Sequence, residues 1–252
     1  MSDSDLLTYV GHATVVIELD GIRLLTDPVL RRRIGPLVRH GPAPSKEIPD
    51  DIDAVLISHM HRDHADSASL RRLPPGMRML VPPGSRRFFE RQGFADVTEL
   101  EPGESSAVGR LTVTAVDADH DGGGRRHAAE ASSQGFLIEG QRSVYFAGDT
   151  DLFAGMEDLT ADLDLALLPV WGWGPTLGPG HLDPKRAAEA VALLSPRLAI
   201  PIHWGTLYPL GLARFRPGPL RGPGERFAAR VRELAPQVAT RVLSPGESTS
   251  LA

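Results

Sequence analysis

The stretch Ser58-His59-Met60-His61-Arg62-Asp63-His64 puts three histidines and an aspartate within six consecutive positions. Neutral imidazole suits zinc, copper, iron and nickel, and a carboxylate makes the set hard enough for manganese. The apolar run Ala54-Val55-Leu56-Ile57 precedes it and reads as a buried strand. Side chains two apart on a strand point to the same side. His59 and His61 are therefore expected to reach one metal ion from the strand's end. Asp63 and His64 come after the chain has turned, and are expected to face a second ion beside the first. A polar loop that is merely rich in histidine has no need of an apolar strand behind it.

This H-x-H-x-D-H run behind a strand resembles the signature of the metallo-β-lactamase superfamily of metal-dependent hydrolases. The likeness covers about residues 8–206. It is closer to the branch containing ascorbate-6-phosphate lactonases and N-acyl-phosphatidylethanolamine phospholipase D. The resemblance implies the remaining ligands. His120, after the Asp117-Ala118-Asp119 strand end, takes the place of the third histidine of the first ion. His127 competes for that role, but it lies on a glycine-rich loop that positions a side chain less well. Gly148-Asp149-Thr150 resembles the bridging position, and His203 the family's final histidine. Ion one would take His59, His61 and His120. Ion two would take Asp63, His64 and His203, with Asp149 between them.

Two divalent ions are thus expected, zinc first, with manganese and iron as alternatives. With about three protein ligands each, both ions would keep an open position, as catalytic sites do. Coordination lowers a water's pKa to roughly 7, so a hydroxide bridging the ions is the expected nucleophile. Asp63 and Asp149 would orient it or accept its remaining proton. The expected reaction is hydrolysis of a small, anionic lactone or ester. Phosphodiester cleavage on the same centre is the alternative, and a non-catalytic metal-binding protein is the reading of another class.

Several residues have two readings. Asp27 would fix a ligand imidazole from beneath, or it ends a strand at a turn. His12 matches a Gly-His-Ala-Thr pattern of the branch, and otherwise reads as a turn histidine. His181 would touch substrate or brace its loop. Trp171 and Trp173, among glycines, read as a wall of the substrate pocket. Arg125 and Arg126 would bind an anionic substrate group near the metals, or they are solvated charge.

The elements that must carry these residues follow from pattern. Strands are expected over 6–19, broken at Gly11-His12, and over 22–26, 77–81, 108–116, 135–139, 143–147, 164–170 and 198–202, the last core strand. Helices are expected over 66–73, 85–92, 152–159, 183–194 and 226–234, the last with a stripe of Phe227, Val231 and Leu234. Residues 28–50 read as a basic loop, a lid or a solvated segment. Residues 207–224 read as irregular. Pattern and likeness together predict an α/β fold, a four-layer αββα sandwich in one domain, 1–252, with the metals at the edge of its two sheets.

Composition narrows the function. The chain has 252 residues, 41% of them apolar, and no run of the roughly 18 apolar residues that a membrane span needs. The acidic start Met1-Ser2-Asp3-Ser4-Asp5 lacks the features of a secretory signal, so the cytoplasm is the expected location. Without cysteine there is no disulfide and no thiolate ligand. A net charge of −5 argues against a nucleic-acid partner. The expected partner is a small molecule, and homo-oligomers stay open.

Overall fold

A computed structural model describes residues 5–120, 132–159 and 161–251. Two seven-stranded sheets dominate it. In spatial order the first contains Glu247–Ser250, Leu6–Gly11, Thr14–Leu19, Ile22–Thr26, Ala54–Leu56, Arg78–Val81 and Val97–Glu99. The second contains Ala239–Thr240, Leu198–Ile202, Leu165–Pro169, Ser143–Phe146, Gln134–Glu139, Leu111–Asp117 and Ser105–Val108.

The strands face one another through alternate residues. Tyr9, Ile17, Leu24 and Leu56 of the first sheet share a core with Phe136, Phe146, Leu167 and Ile200 of the second. Their chain neighbours point the other way. Val16, Leu25, Val55 and Met79 thus pack outward with Leu70 and Phe89, from the short helices Ser67–Leu70 and Arg86–Glu90. Tyr145, Ala166 and Leu168 pack with residues of the helices Pro184–Leu194 and Pro223–Leu234. The result is the αββα sandwich expected from the sequence. Asp183 starts the first of the long helices by accepting the Lys185 and Arg186 N–H groups, with Pro184 in the first turn.

Parallel pairing decides where chemistry can sit. Ile22–Thr26, Ala54–Leu56 and Arg78–Val81 run parallel in one sheet. Ser143–Phe146, Leu165–Pro169 and Leu198–Ile202 do so in the other. Asp27, the segment 58–64, Asp149, Trp171 and His203 all follow the carboxyl ends of these strands. The crevice outside such ends is where α/β folds bind ligands.

The structure departs from expectation in several places. The strand expected over 108–116 is a hairpin, Ser105–Val108 and Leu111–Asp117, turned at Gly109 with φ +58°. The helix expected over 152–159 is reduced to one 3-10 turn, Met156–Asp158, because Gly155 adopts a left-handed φ of +87° just before it. Residues 28–50 are not all loop: Arg33–Ile34 and Leu37–Arg39 form a hairpin that pairs with Leu207–Pro209. Leu198–Ile202 is not the last strand, since Ala239–Thr240 and Glu247–Ser250 extend the two sheets. Finally, Leu234 is 48% exposed, and Ala235 is buried in its place.

Arg39 locks the hairpin to the sandwich. Its buried guanidinium donates to the carbonyl oxygens of Val10 at 2.9 Å and Val29 at 2.7 Å. Burial pushes its pKa down to about 10. Arg39→Ala is expected to lower unfolding stability by about 3 kcal/mol, because two buried carbonyls lose their donors at ~1–3 kcal/mol each. Urea denaturation checks this, and an unchanged midpoint would refute it.

Candidate metal centre

Local backbone brings the donors together. The strand expected to carry His59 and His61 ends at Leu56, so their convergence comes from the loop beyond it and not from strand alternation. Ile57 N–H reaches the Leu80 carbonyl at 2.9 Å, and Ser58 N–H reaches Asp27 Oδ1 at 2.8 Å. The His61 carbonyl accepts the N–H groups of His64 at 3.0 Å and Ala65 at 2.8 Å, and this turn swings His64 inward. Three non-glycine residues at the site hold left-handed φ angles: His12 at +61°, Asp27 at +35° and His203 at +61°. Such strain, of order 1–3 kcal/mol per residue, gathers at functional sites.

The donor atoms of His59, His61 and His120 all lie within 4.8 Å of one another, and so do those of Asp63, His64, His203 and His12. Asp149 joins both halves. Its Oδ2 is 3.2 Å from His64 Nε2 and 3.9 Å from His59 Nε2, and its Oδ1 is 3.3 Å from His203 Nε2. Asp149 is 2% exposed, and Oδ1 has no hydrogen-bond partner.

Hydrogen bonds on the far side of four of the rings set their tautomers. His64 Nδ1–H donates to Asp27 Oδ2 at 2.7 Å, and His203 Nδ1–H to the Trp171 carbonyl at 2.7 Å. His120 Nδ1–H donates to the Gly180 carbonyl at 2.8 Å. Ser58 Oγ–H donates to Asp27 Oδ2 at 2.6 Å, so the Ser58 oxygen accepts His59 Nδ1–H at 3.0 Å. The Nε2 atoms of these four rings then face inward, and His61 presents its Nδ1. His64 Nε2 and His203 Nε2 meet at 3.0 Å. His59 Nε2 and His120 Nε2 lie 3.0 and 3.2 Å from His61 Nδ1, which can donate to only one of them. Lone pairs this close repel unless a cation lies among them, so the residues fit metal ions.

Electrostatics agrees. Burial disfavours charge on His64, but Asp149, Asp27 and Asp63 outweigh it and raise its pKa well above the ordinary value. Burial would raise Asp149, yet His203 and His64 hold it well below the usual carboxylate range. Asp63 is likewise held low by His64 and His12 against its burial. A pocket with these carboxylates calls for positive charge, which a divalent ion held by these residues would supply in place of the proton on His64.

His12 takes a supporting place. Burial and the neighbouring His203 push its pKa down to about 3, so it is neutral. Its Nε2–H donates to Asp63 Oδ2 at 2.9 Å, and its ring lies 3.8 Å from that of His203. Backbone contacts tie the same residues: His203 N–H donates to the His12 carbonyl at 2.8 Å, and Thr206 Oγ1 accepts His12 N–H at 2.9 Å. Gly148, at φ +62°, lets Asp149 in: a Cβ there would lie 2.6 Å from Ser58 Cβ and 3.0 Å from the Gln134 carbonyl. Gly148→Ala is expected to displace Asp149 and lower metal content, because left-handed φ and contact both oppose the side chain. Elemental mass spectrometry reads this directly, and full metal content would refute it.

A cavity of about 620 Å³ opens over the cluster. Asp63, Asp149, His61, His203 and His181 line its floor, and Ile34, Pro36, Leu37, Trp173, Pro175 and Leu177 its sides. Trp173 thus reaches the cavity. Trp171 does not line it, and instead serves His203 through its carbonyl. His181 Nδ1–H donates to the Pro179 carbonyl at 2.9 Å, which leaves Nε2 facing Asp149 Oδ2 at 3.6 Å. Arg125, Arg126 and His127 lie outside the described residues. Sequence reasoning missed Ser58, Arg62 and the hairpin residues Ile34, Pro36 and Leu37. The hairpin's only signal was a long Pro/Gly-containing loop before the metal motif.

Residues 22–204 match the β-lactamase superfamily domain. The chain belongs to the metallo-β-lactamase superfamily of metal-dependent hydrolases. Among this hydrolase's relatives is N-acyl-phosphatidylethanolamine-hydrolyzing phospholipase D 1 of Caenorhabditis elegans, 35% identical over 85% of this chain and 67% of its own. The UPF0173 metal-dependent hydrolase MK1542 of Methanopyrus kandleri is 33% identical over 96% of this chain and 98% of its own. Igni18, a metallo hydrolase from Ignicoccus hospitalis, superposes with a TM-score of 0.72 at 25% identity, over 98% of this chain and 97% of that one. Among the described residues, no helix of the hydrolase is long and apolar enough to cross a membrane.

Proposed function

We propose that this enzyme hydrolyses the ester or lactone bond of a small molecule with an apolar part, at a centre of two divalent ions. The observation that carries this reading is the cavity, whose floor is the His/Asp cluster and whose sides are apolar. His59, His61 and His120 would hold one ion. Asp63, His64 and His203 would hold the other, and Asp149 would touch both. Zinc suits the donor set best, with manganese or iron as alternatives. Bound there, the ions would lower the pKa of a shared water to roughly 7 and polarise the scissile carbonyl.

The protein's own residues do the rest. Asp63, held by His12, and Asp149 would orient the attacking water as hydrogen-bond acceptors. His181 keeps one proton on Nδ1 against Pro179, and its Nε2, 3.6 Å from Asp149 Oδ2, would accept the proton that the attacking water loses and return it to the leaving oxygen. Trp173 and Leu177 exclude bulk water from one side, and Ile34 and Leu37 from the other. Arg62 is the one cation in the described lining, and it would pair with an anionic group on the substrate. The activity of the nematode relative, as its name states it, favours phosphodiester cleavage as the second reading.

The test compares initial rates on 4-nitrophenyl acyl esters, aliphatic lactones and bis(4-nitrophenyl) phosphate. Metal-loaded protein is set against chelated protein and a His59→Ala/His203→Ala double variant. Ester or lactone turnover that disappears in both controls is expected. Preference for the phosphodiester would install the second reading. No turnover by protein carrying two ions per chain would overturn hydrolysis of these bonds in favour of a metal-binding role.

A further inference from the structure

The two segments that build the small third sheet carry no acidic residue: neither 28–46 nor 201–224 contains Asp or Glu. This stands out in a chain of net charge −5. Arg31 is paired with Asp66, and Arg39 is buried. Arg32, Arg33, Arg214, Arg216 and Arg221 are exposed and form no ion pair among the described residues. The same segments hold the two most exposed large apolar side chains described, Phe215 at 78% and Leu210 at 65%.

These features share one flap. Leu210 N–H donates to the Pro36 carbonyl at 2.9 Å, at the turn of the Arg33–Ile34/Leu37–Arg39 hairpin. Tyr208, paired with Val38 across the sheet, donates its hydroxyl to the Arg216 carbonyl at 3.0 Å, which ties Phe215 and its flanking arginines to the hairpin. The hairpin also lends Ile34, Pro36 and Leu37 to the cavity wall. Exposed apolar side chains, guanidinium groups without an ion pair among the described residues, and the cavity thus belong to one small unit.

We propose that this flap docks the enzyme on an anionic lipid surface. Phe215 and Leu210 would enter the acyl boundary while the neighbouring arginines lay their stems along it and meet the headgroups. The chain's overall negative charge does not oppose this, since charges farther than about 8 Å are largely screened at physiological salt. A protein partner fits less well. A stable interface buries about 800 Å² per side around a packed apolar centre, and two protruding side chains among arginines do not make one. Docking itself does not depend on which bond is cut. That the lipid also supplies an apolar substrate rests on the proposed function above.

Co-sedimentation with phosphatidylcholine vesicles, with and without about 30% phosphatidylglycerol, tests docking at ~0.1 M and ~0.5 M salt. Metal-loaded protein of all 252 residues is used. Binding to the anionic vesicles at low salt and its loss at high salt are expected. Arg214→Gln/Arg216→Gln should weaken partitioning by about 30-fold, at roughly fivefold per basic residue. Leu210→Asp/Phe215→Asp should abolish it with metal content and circular dichroism unchanged. Absence of binding to either vesicle, or equal binding by the variants, would overturn the proposal. So would a dimer in solution that Leu210→Asp/Phe215→Asp dissociates, because it would assign the face to a second copy. Hydrolysis of a short soluble ester, followed in parallel, separates failure of docking from failure of the proposed reaction.

Discussion

Asp149→Ala is expected to yield a folded protein that keeps at most one ion per chain and hydrolyses its best soluble substrate on the order of 10³-fold more slowly. The carboxylate lies between the two groups of imidazoles, within 3.2–3.9 Å of His64, His203 and His59, with one oxygen that no protein group satisfies. No neighbouring side chain can take over a position shared by both halves. The substitution removes a buried charge whose partners are imidazoles, so the loss should fall on ion binding before folding. Elemental analysis and steady-state rates give the answer together. Asp149→Asn, which keeps the volume, guards against a packing defect. Two ions per chain with undiminished rates in either variant would remove Asp149 from the centre.

Asp27→Asn should weaken binding of one ion by about 10–100-fold, the usual consequence of losing the carboxylate behind a ligand histidine. Asp27 is fully buried and touches no open part of the cavity. It accepts three hydrogen bonds: Ser58 N–H on Oδ1, and Ser58 Oγ–H and His64 Nδ1–H on Oδ2. An amide has one acceptor atom, so its NH₂ must confront at least one of these donors. Asparagine tolerates the left-handed backbone there, which leaves hydrogen bonding as the altered variable. Stability should fall by about 1–3 kcal/mol from the unsatisfied groups. Zinc titration calorimetry measures the affinity, and urea denaturation the stability. Unchanged zinc affinity would show that His64 needs no carboxylate behind it.

The two predictions differ in how far the sequence alone supports them. Gly148-Asp149-Thr150 is a weak signal alone, and Asp149 stands out only through the family resemblance and the H-x-H-x-D-H run before it. Asp27 had two equal readings, because an Asp-Pro pair also ends strands at turns. Only the placement of Ser58 and His64 around it chooses between them. His12 was ambiguous for the same reason, until Asp63 was found 2.9 Å away. Elements carrying a strong period were legible, such as Pro184–Leu194 with Ala187, Ala190, Val191 and Leu194 buried. The strand Glu247–Ser250 was not: it is Glu-Ser-Thr-Ser, held by backbone pairing with Leu6–Gly11, and it has no apolar alternation to read.

Read together with its family resemblance, the sequence determined the sandwich and the donor-bearing strand ends, and by itself it excluded thiolate chemistry. What the residues contributed to those readings is residue type and local order, through strand periodicity, turn chemistry and the metal preference of imidazole and carboxylate. The tertiary structure alone decided which groups meet across long separations. It set His64 against His203, 139 residues apart, and laid the hairpin at 33–39 along Leu207–Pro209 to form one cavity wall. Strand pairing and sheet packing bring such residues together, and no local pattern encodes that distance. The arginine-flanked Phe215 acquires its neighbours in the same way, because a segment reads as a surface only after the chain has folded around it.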